Sequence, residues 1–253
     1  MSLEGKVAFV SGASRPHGNG QAIALTLARE GADVAVSGWA HMEGATSLAT
    51  EIREMGRRSI AVKMDVSDYY DVKKGFAKIK GELGAVSILV NNAALMGHNI
   101  SIAKTTPEEW DNEVKICLNS AFYCIKEVWA DMCANGWGRI VNITSVAGVM
   151  GGYGQTSYGA AKAGLISLAK SAAIEGARFG ITANTVLVGI ANTDAYLELP
   201  EAVRQRVEKR TVFGRPAEPQ DIADAVAYLV SDKAGYMTGA VMNMLGGLDL
   251  FVF

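Results

Sequence analysis

Short runs rich in valine and isoleucine alternate along this chain with longer amphipathic stretches, and that alternation limits the possible folds more than any other feature. A continuous apolar run of strand length is what a strand buried on both faces requires. The amphipathic stretch between two such runs is long enough to cross back over a sheet. The pattern predicts an α/β chain: one doubly wound parallel sheet of about seven strands, with helices on both faces. Strands are expected at Lys6–Ser11, Asp33–Ser37, Ser59–Met64, Ser87–Asn91, Arg139–Ser145, Ile181–Val188 and Ala240–Met244. Helices are expected at Gly20–Glu30, Glu43–Met55, Asp68–Lys80, Pro107–Ala134, Ser157–Phe179 and Pro219–Ser231, most of them opened by a polar residue, proline or glycine that starts a turn. The interval from Gly189 to Pro219 has a weak pattern. Beyond a strand's carboxyl end, such an excursion is expected to form a lid, at about 189–218.

At 253 residues the chain suits a single domain spanning 1–253. Its 26 acidic and 24 basic residues leave a formal charge of −2, which attracts no polyanion, so nucleic acid is not expected as a partner. No apolar run approaches the roughly 18 residues of a membrane span. The first strand begins at Lys6 and leaves no room for a signal peptide, so a cytoplasmic protein is expected. Cys117, Cys124 and Cys133 are odd in number and lack CxxC spacing, which argues for buried free thiols and against a disulfide framework or a metal site.

The first strand runs into Ser11-Gly-Ala-Ser-Arg-Pro-His-Gly-Asn-Gly20 and then into an apolar helix. A strand, a glycine-rich turn and a helix in that order suit a pyrophosphate: the backbone approaches without Cβ clashes, and free N–H groups at the positive end of the helix face the anion. Further on, Tyr158 and Lys162 stand four residues apart, on one face of a predicted helix. A lysine ammonium near a phenol favours phenolate, drawing its pKa down from about 10 towards the range of general acid–base work.

Together these elements resemble the short-chain dehydrogenase/reductase family, whose fold is Rossmann-like, and the resemblance spans essentially the whole chain. The glycine turn is similar to that family's T-G-x-x-x-G-x-G signature, with Pro16-His17 read as a two-residue insertion; it implies cofactor contacts at Gly12, Ser14, Gly18 and Gly20. Asp65-Val66 resembles the adenine contact. Asn91-Asn-Ala93-Ala94 resembles the N-N-A-G element, whose first asparagine steadies the sheet and whose alanine lies along the cofactor. Ser145 ends a strong strand thirteen residues before Tyr158, as in the family, and Asn119 is matched to its catalytic asparagine. The resemblance therefore implies the catalytic set Asn119, Ser145, Tyr158 and Lys162. In it Ser145 holds the substrate oxygen, Lys162 also binds the nicotinamide ribose, and Asn119 holds a water leading to solvent.

The second strand ends at Gly38-Trp39, where NAD-preferring members carry an acid, and Arg15 sits where NADP-preferring members place a base. NADP(H) is therefore favoured and NAD(H) remains possible. Val188 replaces the family's proline before Gly189; Ile190 and Thr193 are the expected carboxamide contacts. Leu95, Met96, Met150, Tyr153 and Tyr196 are expected to line the substrate site, which suits a small to medium, moderately apolar alcohol or ketone. Reduction of 3-oxoacyl thioesters is the alternative within this class. Another chemistry on the fold, as in a dehydratase or epimerase, and a non-catalytic nucleotide sensor are the remaining readings. The family implies a homotetramer or homodimer with the Pro107–Ala134 and Ser157–Phe179 helices pairing across a twofold axis. The apolar tail 248–253 is expected to be buried against another subunit.

Overall fold

The structure is a computed structural model, and it describes residues 2–95 and 99–250. All seven expected strands form, each within two residues of its predicted ends: β1 (Val7–Val10), β2 (Asp33–Gly38), β3 (Ser59–Lys63), β4 (Ile88–Asn91), β5 (Gly138–Ser145), β6 (Ile181–Val188) and β7 (Val241–Met244). They make one parallel sheet in the order β3-β2-β1-β4-β5-β6-β7. The order reverses between β1 and β4, so the loops after these two strands diverge and leave a crevice at their carboxyl ends.

Two cores follow from the two-residue period of the strands. On one face Ala8, Val10, Val34, Val36, Val141 and Ile143 pack beneath α1 (Asn19–Arg29), α2 (Met42–Glu54) and α10 (Pro219–Val230). On the other, Phe9, Ala35, Leu89, Ile140 and Ala183 pack beneath α3 (Tyr69–Glu82), α5 (Ser120–Asn135) and α7 (Thr156–Gly176). Capping sets several helix starts. Asp68 accepts from the N–H groups of Tyr70 and Asp71, and Thr106 with Glu109 makes a reciprocal capping box ahead of Pro107.

The helix expected over Pro107–Ala134 is not continuous. It runs as α4 (Pro107–Val114), widens into a π turn at Lys115–Asn119 and resumes as α5. The excursion after β6 is also not free of structure: it holds α8 (Asp194–Leu197) and α9 (Glu201–Glu208), and a four-residue α6 (Ala147–Met150) follows β5. No helix among the described residues is long and apolar enough to cross a membrane. The three cysteines are free; Cys117 and Cys124 are buried, and Cys133 is half-buried.

Candidate active site

The crevice at the switch point is walled by the glycine turn after β1 and the Asn92–Leu95 segment after β4. Ser11 and Asn92 clamp these together, and neither was singled out in the sequence. The Ser11 hydroxyl accepts from the N–H groups of Asn92 and Ala93, each at 3.0 Å, while the Asn92 amide donates to the Ser11 and Gly12 carbonyls at 2.9 and 3.0 Å. The approach is so close that a Cβ on Gly12 would stand 2.7 Å from Ala93 Cα, at a φ of +64° that disfavours any side chain. A Cβ on Gly20 would meet Asn92 Nδ2 at 2.6 Å. Gly18 is the N-cap of α1 and offers no side-chain cap, which leaves first-turn N–H groups to an outside acceptor. The Asn19 side-chain oxygen nearby is buried without a hydrogen-bond partner. A glycine cradle, an uncapped helix start and an orphaned polar atom fit the phosphates of a dinucleotide.

At the outer end of this cradle, Ser14, Arg15, His41, Gly44, Asp194, Leu197 and others line a cavity of about 600 Å³. Gly38 abuts Ser14 closely, and Trp39 beyond it is exposed, with the Lys63 ammonium 5.1 Å from its ring centroid. Arg15 pairs with Glu198 at 3.4 Å and His17 with Asp194 at 3.3 Å, so the Pro16-His17 insertion meets the start of the excursion. One oxygen of Asp65 accepts from both the N–H and the hydroxyl of Ser67, and Val66 packs on the second core. Asn91 donates to Asn142 Oδ1 at 2.9 Å, and Asn142 donates in turn to the Leu165 carbonyl at 3.0 Å, tying β4 through β5 to α7.

That tie positions the reacting pair. Tyr158 lies in the first turns of α7, partly buried, in hydrogen-bonding contact with the hydroxyl of Ser145 at the end of β5. Lys162 is buried; its ammonium donates to the Ile143 carbonyl at 2.9 Å and stands 5.6 Å from the Tyr158 ring centroid.

Three expectations change here. Burial pushes the phenol up to about 12, outweighing the lowering expected from Lys162, whose own pKa is lowered by its burial. Secondly, the polar residue that the broken helix brings to the pair is Cys117, not Asn119. The Cys117 thiol accepts from the Leu95 N–H and donates to the Leu95 carbonyl, both at 3.4 Å, and interacts electrostatically with Tyr158 and Lys162. Among the described residues the Asn119 side chain makes no hydrogen bond to either. Two residues apart in this turn, the side chains of Cys117 and Asn119 point to roughly opposite faces, so both cannot face the same centre. Thirdly, Tyr196 is not an open wall: it is buried, with its hydroxyl donating to Glu208 inside the excursion, and its neighbour Leu197 lines the cavity.

Leu95, Met150 and Tyr153 are exposed at the mouth, whereas Met96 lies outside the described residues. The Ile190 carbonyl accepts from the Ala217 N–H, and the Thr193 hydroxyl turns back to the Ala191 carbonyl at 3.5 Å.

A family model described as enoyl-(acyl carrier protein) reductase matches residues 12–249. The chain belongs to the short-chain dehydrogenase/reductase family. It is 41% identical over 248 residues to the 3-oxoacyl-[acyl-carrier-protein] reductase FabG of Pseudomonas aeruginosa, covering 98% of this chain and 99% of that one. It is 39% identical over 244 residues to nodulation protein G of Azospirillum brasilense, covering 96% and 98%. A crystal structure described as a short-chain alcohol dehydrogenase from Sinorhizobium meliloti superposes with a TM-score of 0.93 at 32% identity, covering 99% of each chain. This short-chain dehydrogenase/reductase is accordingly an NAD(P)-dependent oxidoreductase acting on CH–OH and keto groups.

Proposed function

We propose that the chain interconverts a moderately apolar ketone and its secondary alcohol with NADP(H), using Tyr158 to pass the proton. The observation that carries this reading is the Ser145–Tyr158 hydroxyl pair at the crevice end of β5 and α7, beside the glycine cradle. Ser145 would hold the substrate oxygen, and the phenol, kept protonated by its burial, would donate to that oxygen as a ketone is reduced. Lys162 is placed to hold the nicotinamide ribose, with the Ile190 backbone and Thr193 at the carboxamide; the bound nicotinamide supplies the hydride. Gly12, Ser14, Gly18 and Gly20 would carry the phosphates, Asp65 and Val66 the adenine, and Ala93 would lie along the cofactor. The stretch 189–218 would close over the site as a lid.

Arg15 supports the NADP(H) preference. Its pair with Glu198 is exposed on both sides and therefore weak, so the guanidinium is free to turn to a 2′-phosphate, and Gly38-Trp39 at the end of β2 carries no acid. Arg15→Ala should raise the KM for NADPH about tenfold and leave that for NADH unchanged. Equal use of both cofactors by the unaltered protein would remove the preference.

The 3-oxoacyl thioester reading is the specific alternative, because the Pseudomonas relative carries that name at 41% identity. A screen of ketones, sugars, steroids and 3-oxoacyl thioesters with each cofactor, followed by nicotinamide absorbance, separates the two. In that screen Tyr158→Phe should lower kcat by about 10²–10⁴ with cofactor binding intact. A Tyr158→Phe protein with undiminished turnover would end the role assigned to the phenol. Exposed Phe122 on α5 and Ile174 on α7 support pairing of these helices between copies in a homodimer or homotetramer.

A further inference from the structure

Behind the reacting pair, α4 brings a carboxylate into the interior. Glu113 is 7% exposed, and it accepts a hydrogen bond from the hydroxyl of Ser157, itself buried. Burying a carboxylate is costly, and an apolar residue would fill the space between α4 and α7 with less penalty, so packing alone does not account for it. Ser157 directly precedes Tyr158 in the first turn of α7, whose N-cap residue Gln155 makes no side-chain capping bond. The tether to Glu113 is therefore a constraint on the turn that carries the phenol.

We propose that Glu113 is a positioning residue of the reaction centre, seating Tyr158 through the Ser157 hydroxyl and adding one negative charge to its surroundings. Burial raises the Tyr158 phenol and the Cys117 thiol most; Cys117 adds to the rise of the phenol, and Glu113 adds a smaller upward push on both, the one at the start of α7 and the other in the π turn. The groups facing the phenol are Glu113 and Cys117 from the broken helix, Ser145 from β5, and Lys162 from α7 itself. Those bearing on Glu113 include Ser157, Tyr158 and Cys117. Seating and charge are separable: an amide in place of the carboxylate still accepts from Ser157 but carries no charge.

The inference rests on the role proposed for Tyr158, and the test includes a readout independent of turnover. Tyrosinate absorbance would be followed against pH in the full-length protein, in Glu113→Gln and in Ser157→Ala, with Tyr158→Phe identifying the contribution of this tyrosine. In Glu113→Gln the ionisation of Tyr158 should begin about half a unit to one unit lower in pH, with an unchanged melting temperature. The alkaline limb of alcohol oxidation should move with it. Ser157→Ala, which keeps the charge and loses the tether, should lower kcat about tenfold and leave the onset of ionisation in place. An onset unmoved in Glu113→Gln, or a kcat unmoved in Ser157→Ala, overturns the proposal. If no substrate is turned over by any form, the functional reading fails while the absorbance titration still decides whether the Glu113 charge acts on the phenol.

Discussion

At the scale of single residues, Tyr158 shows how burial and charge compete. A phenol raised from about 10 to about 12 keeps its proton over a pH range in which the unfolded chain has released it. Below pH 10 both states are protonated and stability is independent of this group. Between about 10 and 12 the unfolded state binds fewer protons, so stability falls as pH rises, by about 2–3 kcal/mol in all. Denaturant unfolding across that range should therefore show a smaller alkaline loss in Tyr158→Phe than in the unaltered protein; identical losses would mean that the phenol is not raised. The same scale shows why Asn119 was matched and Cys117 passed over. An amide is a recognisable polar group in a motif, whereas a cysteine in a helical stretch has the composition of core. Only the phase of the helix, shifted by the π turn, decides which of the two faces Lys162.

At the scale of elements, what holds the site is the chain of amides from β4 through β5 to α7. Asn142 has no exposed surface and satisfies both the Asn91 amide and the Leu165 carbonyl. Asn142→Ala leaves the buried Asn91 amide unpaired and removes the second donor to the Leu165 carbonyl, and should cost about 1–3 kcal/mol in chemical denaturation. A loss under about 1 kcal/mol would show that the tie between sheet and helix is dispensable. The strands were readable because a parallel strand covered on both faces needs an uninterrupted apolar run, and β5 and β6 are buried along nearly their whole lengths. The π turn was not readable, because Lys115-Ile-Cys-Leu-Asn119 has ordinary helix-forming composition and the extra residue per turn leaves no mark on it. Nor were α8 and α9: their four and eight residues are too short for a helical period to emerge.

At the scale of the molecule, the surface keeps apolar residues that a lone subunit would not bury. Leu250 is exposed, while Leu248 packs against Gly189 at the root of the excursion. Removal of 248–253 should therefore reduce the assembly size seen by light scattering and lower the melting temperature; an unchanged assembly would exclude the tail from the interface. The doubly wound architecture, the glycine cradle and the Tyr158 and Lys162 pair were legible in the sequence alone, since each is written in local terms: an uninterrupted apolar run, a four-residue spacing, or a turn that only glycine can make; Ser145 was added by the family resemblance. The tertiary structure decided what depends on distant parts meeting: Ser11 and Asn92 clamping two loops, Cys117 rather than Asn119 at the reacting pair, Tyr196 folded inward on Glu208, and Glu113 beneath Ser157. Burial and electrostatic coupling are properties of neighbours in space, and neighbours far apart along the chain leave no local period from which to read them.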